Sequence, residues 1–130
     1  MFGWLRSIFS PKKPRAISTQ FHTSIVGVSH RNRDQTSRQK IIREDLYLGM
    51  GLMGRNENDN PIDPNAVAVD TPGGKQIGYL NSRLAADVRA WIAAGATVTM
   101  VVTDLTGGTD DKPTRGMNVL LTAYEPEDEE

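Results

Sequence analysis

The chain of 130 residues carries 38% hydrophobic and 24% charged side chains, enough for one globular domain and too apolar for wholesale disorder. Cysteine is absent, which excludes disulfides, thiolate metal sites and thiol nucleophiles, and His22 and His30 are the only imidazoles. The net charge of −1 hides an asymmetry: residues 1–45 hold nine Lys/Arg against three Asp/Glu, and residues 46–130 hold six against thirteen. A basic first third suits a polyanionic partner, either nucleic acid or anionic lipid.

Residues 1–19 read as an appendage. Phe2, Trp4, Leu5, Ile8 and Phe9 share one half of a helical wheel, and Gly3, Arg6, Ser7 and Ser10 take the other. Such a helix is too short to hold alone in water, where roughly 12–15 residues are needed. The following SPKKPRAIST is basic and proline-bearing, as an extended linker would be. Together they suit docking to a protein partner or an anionic membrane surface through residues 1–15. Arg6 interrupts the apolar run and no small-residue cleavage site follows, so a signal peptide is not expected and a cytoplasmic location is.

The globular part is expected over residues 20–124. FHTSIVGVS alternates and then turns continuously apolar, as a strand entering a core does. Residues 36–44 have the length of a short helix that buries Ile41 and Ile42. LYLGMGLM reads as a glycine-rich strand and RNENDNPIDPN as a loop. AVAVDTPGGKQIGYL is the clearest hairpin, with two β-rich runs around Thr-Pro-Gly-Gly. Asn81 or Ser82 then caps a helix over about 82–94 that Gly95 closes. Its Leu84, Val88, Trp91 and Ile92 fall on one face, predicted to meet the core. TVTMVVTDL and MNVLLTAY are the last two strands, and residues 125–130 form an acidic tail expected to be disordered. Six short strands with one principal helix indicate a small, mainly β, antiparallel barrel of OB/SH3-like character.

Motif-like strings exclude more than they assign. Gly49, Gly51 and Gly54 match the spacing of a dinucleotide fingerprint, but that chemistry needs a helix N-terminus at the third glycine. Arg55-Asn56-Glu57-Asn58-Asp59-Asn60-Pro61 cannot begin one, so glycines that let a strand bend are the better reading. Glu57, Asp59 and Asp63 lack the spacing of a calcium loop, because Pro61 falls on a ligand position. No nucleotide-binding, hydrolase or zinc-protease motif occurs. Neither a catalytic residue, a metal site nor a cofactor is expected.

Constraint is densest at Asn60-Pro61-Ile62-Asp63-Pro64-Asn65. Two prolines stiffen the backbone, while Asn60, Asp63 and Asn65 supply short-reach donors and acceptors. Such residues either hold a loop through Asx turns or present it to a ligand. Tyr79, in the second strand of the hairpin, suits both a core cap and a stacking platform.

FHTSIVGVSH, ENDNPIDPNAVAVDTPGGKQIGYL and the helix SRLAADVRAWIAAG, in this order, resemble the HIRAN domain over residues 21–124. The resemblance implies a six-stranded barrel and, from its members in fork-remodelling helicases, binding of single-stranded DNA at a free 3′-hydroxyl end. Carried over by position, Asn60, Ile62 and Asp63 match the pocket loop, and Tyr79 faces the same groove. Ser29, His30 and Arg31 follow the first strand, where DNA-binding members place a pair of tyrosines. This chain has only His30 there, and Ile62 where the motif often carries an aromatic ring. On this reading Asp63 accepts a hydrogen bond from a terminal hydroxyl, and Tyr79 and His30 stack on bases. Arg31, Arg33, Lys75 and Arg83 suit phosphates. The expected function is a non-catalytic DNA-binding module, with a protein- or membrane-docking scaffold as the alternative.

Overall fold

The structure, a computed structural model, describes residues 15–127; the amphipathic segment, the linker as far as residue 14 and residues 128–130 of the acidic tail lie outside the described residues. Six strands form one antiparallel sheet: β1 (Ile17–Ser24), β2 (Gly51–Asn56), β3 (Val67–Asp70), β4 (Gln76–Tyr79), β5 (Thr97–Thr106) and β6 (Gly116–Tyr124). Their spatial order is β1-β6-β5-β2-β3-β4. The chain leaving β1 then returns to the far edge. Val26 N–H donates to the Tyr79 carbonyl at 2.8 Å, and Tyr79 N–H donates to the Val26 carbonyl at 2.9 Å. This pair closes the sheet into a barrel, which removes the exposed edges of an open sheet.

Closure depends on Gly78. A Cβ at that position would sit 2.5 Å from the Val26 carbonyl oxygen and 2.7 Å from Cγ2 of Ile25. Only a residue without a side chain lets the two backbones approach this closely. Inside the barrel, alternate residues of the strands point inward and bury Val69, Ile77, Val102, Met117, Val119 and Leu121 almost completely.

Two helices cover the openings. In α1 (Arg38–Asp45) the Ser37 hydroxyl accepts from Lys40 N–H, and Ile41 and Ile42 are buried. In α2 (Ser82–Ala93) the Asn81 side chain accepts from Leu84 N–H, and Gly95 follows its end with φ of +100°. Leu84, Ala85 and Val88 are buried and Trp91 packs against the core from its edge. Ile92 departs from expectation: it is 49% exposed, because the helix spans a curved barrel end that accepts only the central part of its apolar stripe.

Two strand boundaries also differ from the sequence pattern. β1 begins at Ile17 rather than at Phe21, since Ile17 pairs with Tyr124 and Glu125 N–H donates to the Ala16 carbonyl at 2.8 Å. Arg15 pairs with Glu127 at 2.8 Å, so the start of the expected tail lies against the end of the expected linker. β2 starts at Gly51 and runs through Arg55 and Asn56, which pair with Ala68 and Val67. Tertiary pairing with β3 therefore draws into the sheet two polar residues that read locally as loop.

Candidate nucleic-acid interface

The loop of residues 57–66 is organised from its own side chains. Oδ1 of Asn60 accepts from the backbone N–H of Ile62 at 2.9 Å and of Asp63 at 3.0 Å, as in an Asx turn. Oδ1 of Asp63 accepts from Asn65 N–H at 2.9 Å, and its backbone carbonyl accepts from Ala66 N–H at 3.0 Å. The second carboxylate oxygen of Asp63 has no partner among the described residues. Ile62 stands at the tip, 93% exposed. The prolines that flank it leave the backbone little freedom to fold that apolar side chain back.

Beneath the loop, Glu57 acts as a buried hub at 5% exposure. Its Oε1 accepts from the Tyr79 hydroxyl at 2.7 Å and from Nδ2 of Asn60 at 3.0 Å. Its Oε2 faces Nη1 of Arg55 at 3.2 Å. Burial by itself pushes the carboxyl upward. The hydrogen bonds from Tyr79 and Asn60 and the adjacent Arg55 guanidinium outweigh it, and hold Glu57 below the ordinary value of 4.5. A continuous hydrogen-bonded path thus joins Tyr79, Glu57, Asn60 and the backbone of Asp63.

Tyr79 is enclosed from another side by Arg38, whose guanidinium lies 5.2 Å from the ring centroid. Arg38 is itself buried, donating to Oδ1 of Asn32 at 2.7 Å and to the Gly27 carbonyl at 2.8 Å. His30 joins this group: a Cβ built on Gly27 would meet Nη1 of Arg38 at 3.3 Å, Cδ2 of Tyr79 at 3.6 Å and Cδ2 of His30 at 4.0 Å. Tyr79 is therefore half-buried, with its hydroxyl and one ring face engaged within the protein. His30 and Ser29 remain exposed on the adjoining turn.

A groove of about 940 Å³ opens beside this cluster. Arg31, Arg33 and Lys75 all border it. Their charge is countered, however: five basic and five acidic side chains line the groove. Arg33 pairs with Asp59 at 3.1 Å, which raises the guanidinium above its ordinary range and lowers the carboxyl. Lys75 pairs with Asp45 at 3.1 Å, and Arg55 pairs with Asp70 at 2.8 Å. Arg31 instead donates to the Gln35 carbonyl at 2.8 Å. Arg83 is exposed on α2 and does not border this groove. Among the described residues, no group of three His or carboxylate side chains is arranged to hold a metal ion.

Several residues that build the site had no distinctive signal. Glu57 and Arg55 sit in a polar run where any carboxylate or guanidinium looks solvated. Arg38 occupies the first turn of an ordinary short helix. Arg89 of α2 reaches Oδ1 of Asn58 and, at 3.4 Å each, the carbonyls of Pro64 and Ala66, bracing the loop from behind. Only the helical spacing of Arg89 relative to the buried face placed it on the side toward the loop.

Six antiparallel strands closed into one small barrel, with two helices packed on it, place the domain in the OB-like class of β folds. The HIRAN domain family model matches residues 18–122, and the chain belongs to that family. The HIRAN domain of human HLTF superposes with a TM-score of 0.63 at 19% identity, covering 85% of this chain and 79% of that one. A protein from Lactobacillus plantarum superposes with a TM-score of 0.59, also at 19% identity, covering 82% and 99% respectively. No curated protein matches the sequence. Among the described residues no helix is long and apolar enough to cross a membrane.

Proposed function

We propose that this domain is a non-catalytic module that binds single-stranded DNA and receives a free 3′-hydroxyl end at the 57–66 loop. Family membership supports the DNA ligand, and the unpartnered oxygen of Asp63 carries the end preference. One oxygen of that carboxylate is held by Asn65 N–H, which orients the other as an acceptor for a terminal hydroxyl. A terminal phosphate would instead bring two negative groups together. Ile62 offers an apolar contact to the last base, and His30 an exposed ring for its neighbour. The balanced charge of the groove keeps sequence-independent attraction modest, so end chemistry carries a larger share of the affinity.

Fluorescence anisotropy with single strands ending in 3′-hydroxyl or 3′-phosphate tests this reading. The hydroxyl strand is expected to bind about tenfold tighter, the worth of one hydrogen bond to a charged group. Asp63→Ala should erase most of that difference. Equal binding of both strands by the wild type removes the end-recognition reading, and no binding of either at micromolar protein removes the DNA reading itself.

A further inference from the structure

We propose that a second cleft, between the β5–β6 loop and the chain leaving β1, holds an internucleotide phosphodiester of the bound strand through Arg115 and Lys112. The inference rests on the single-stranded DNA reading above and extends it to residues outside the matched loop. The cleft encloses about 410 Å³ and is bordered by Ser24, Val28, Lys112, Thr114, Arg115 and Asn118 among others, with no acidic side chain in its wall. Asp110 and Asp111 belong to the same loop but do not border it. In this it differs from the larger groove, where the acidic and basic side chains are equal in number.

The main chain of Arg115 is held in place before any ligand arrives. The Gln39 side chain accepts from Arg115 N–H at 2.7 Å and donates to the Arg115 carbonyl at 2.8 Å. The same amide donates to the Val28 carbonyl at 2.9 Å, tying the two walls of the cleft together. Gly108, with φ of +75°, makes room for the guanidinium: a Cβ there would sit 2.6 Å from Cζ and 2.7 Å from Nη1. The guanidinium thus occupies the space that a side chain at 108 would fill. Arg33, Arg55 and Lys75 each have a carboxylate partner, whereas among the described residues Arg115 and Lys112 have none. A half-buried, pre-oriented guanidinium without a counter-ion, beside a flexible ammonium, matches the fork and point charge that bind phosphate oxygens.

The cleft also borders the turn that carries Ser29 and His30. Val28 forms part of its wall, and Cγ1 of Val28 lies 3.5 Å from the Cβ position of Gly78, the neighbour of Tyr79. Ser29 and His30 directly follow Val28. On the proposed reading, a strand that passes from Asp63 across His30 next meets this cleft.

Anisotropy titrations compare a 3′-hydroxyl strand of about 12 nucleotides, within the span of one OB-like barrel, with a dinucleotide too short to reach the cleft. Wild type should bind the longer strand more tightly. Arg115→Ala should weaken the longer strand about tenfold, lower its salt slope by about 0.7, and leave the dinucleotide unchanged. Lys112→Ala, at an exposed side chain with no packing role, should lower the same slope. Arg43→Ala, on the outer side of α1, serves as the control and should change neither. If the wild type binds the long strand and both variants bind it equally well with the same slope, the second site is overturned while the end-binding reading stands. If the wild type binds neither strand, both fall together.

Discussion

The Tyr79 hydroxyl donates to Oε1 of Glu57 at 2.7 Å, so the residue that resemblance places in the ligand groove is also the anchor of a buried carboxylate. This bond joins the barrel closure, through β4, to the loop that carries Asp63. On the proposed reading, stability and recognition therefore share one hydrogen-bonded path.

Tyr79→Phe keeps the ring beside Arg38 and deletes only the donor. A hydrogen bond to a charged group is worth about 1.5–3 kcal/mol, and the buried carboxylate loses one of its partners. Urea unfolding should show a lower midpoint with an unchanged slope. A variant as stable as the wild type would mean that solvent replaces the lost donor at no cost.

Glu57 links stability to acid pH. Its folded pKa lies below the unfolded value, so its ionised form contributes stability above the unfolded value near 4.5. That contribution is lost as pH falls through the lower, folded pKa. Glu57→Gln should be less stable at neutral pH and should lose less stability than wild type on acidification from pH ~5 to ~3. Parallel pH–stability curves for the two proteins would assign acid unfolding to other carboxylates.

Gly78→Ala places a methyl group 2.5 Å from the Val26 carbonyl oxygen at the point of closure. Relieving that clash requires the backbones to separate, and overpacking of this kind costs about 1–3 kcal/mol. Hydrogen exchange should speed up at Val26 and Tyr79 amides before it does so in β5 and β6. Wild-type protection at both amides would show that the closing pair tolerates displacement.

Asp59→Asn releases Arg33 from an ion pair whose two side chains are both well exposed. Exposed pairs contribute little to stability, so thermal unfolding should be nearly unchanged. The freed guanidinium should tighten binding of single-stranded DNA and steepen its salt dependence. Unaltered affinity and slope would place Arg33 away from the phosphate path.

Local patterns carried most of the architecture. β-rich runs around Thr-Pro-Gly-Gly marked the hairpin, and Asn81 and Gly95 bounded α2 because capping and a left-handed terminus are decided by neighbours in sequence. The Asn60–Asp63 loop was legible for the same reason, since its bonds run between residues two or three apart. Composition also excluded disulfides and thiolate chemistry, since the chain has no cysteine.

What neighbours in sequence do not determine is which charges are cancelled. Arg33 and Asp59, Lys75 and Asp45, and Arg55 and Asp70 are brought together across 26, 30 and 15 residues, so a groove read as basic is balanced. Glu57 became a buried hub only because the β2-β3-β4 pairing set Tyr79 over it, 22 residues away. Arg115 has its main chain held by Gln39, 76 residues earlier, and its guanidinium seated over Gly108. Backbone turns follow from short-range sterics, whereas the pairing of a charge depends on which distant strand the sheet places beside it.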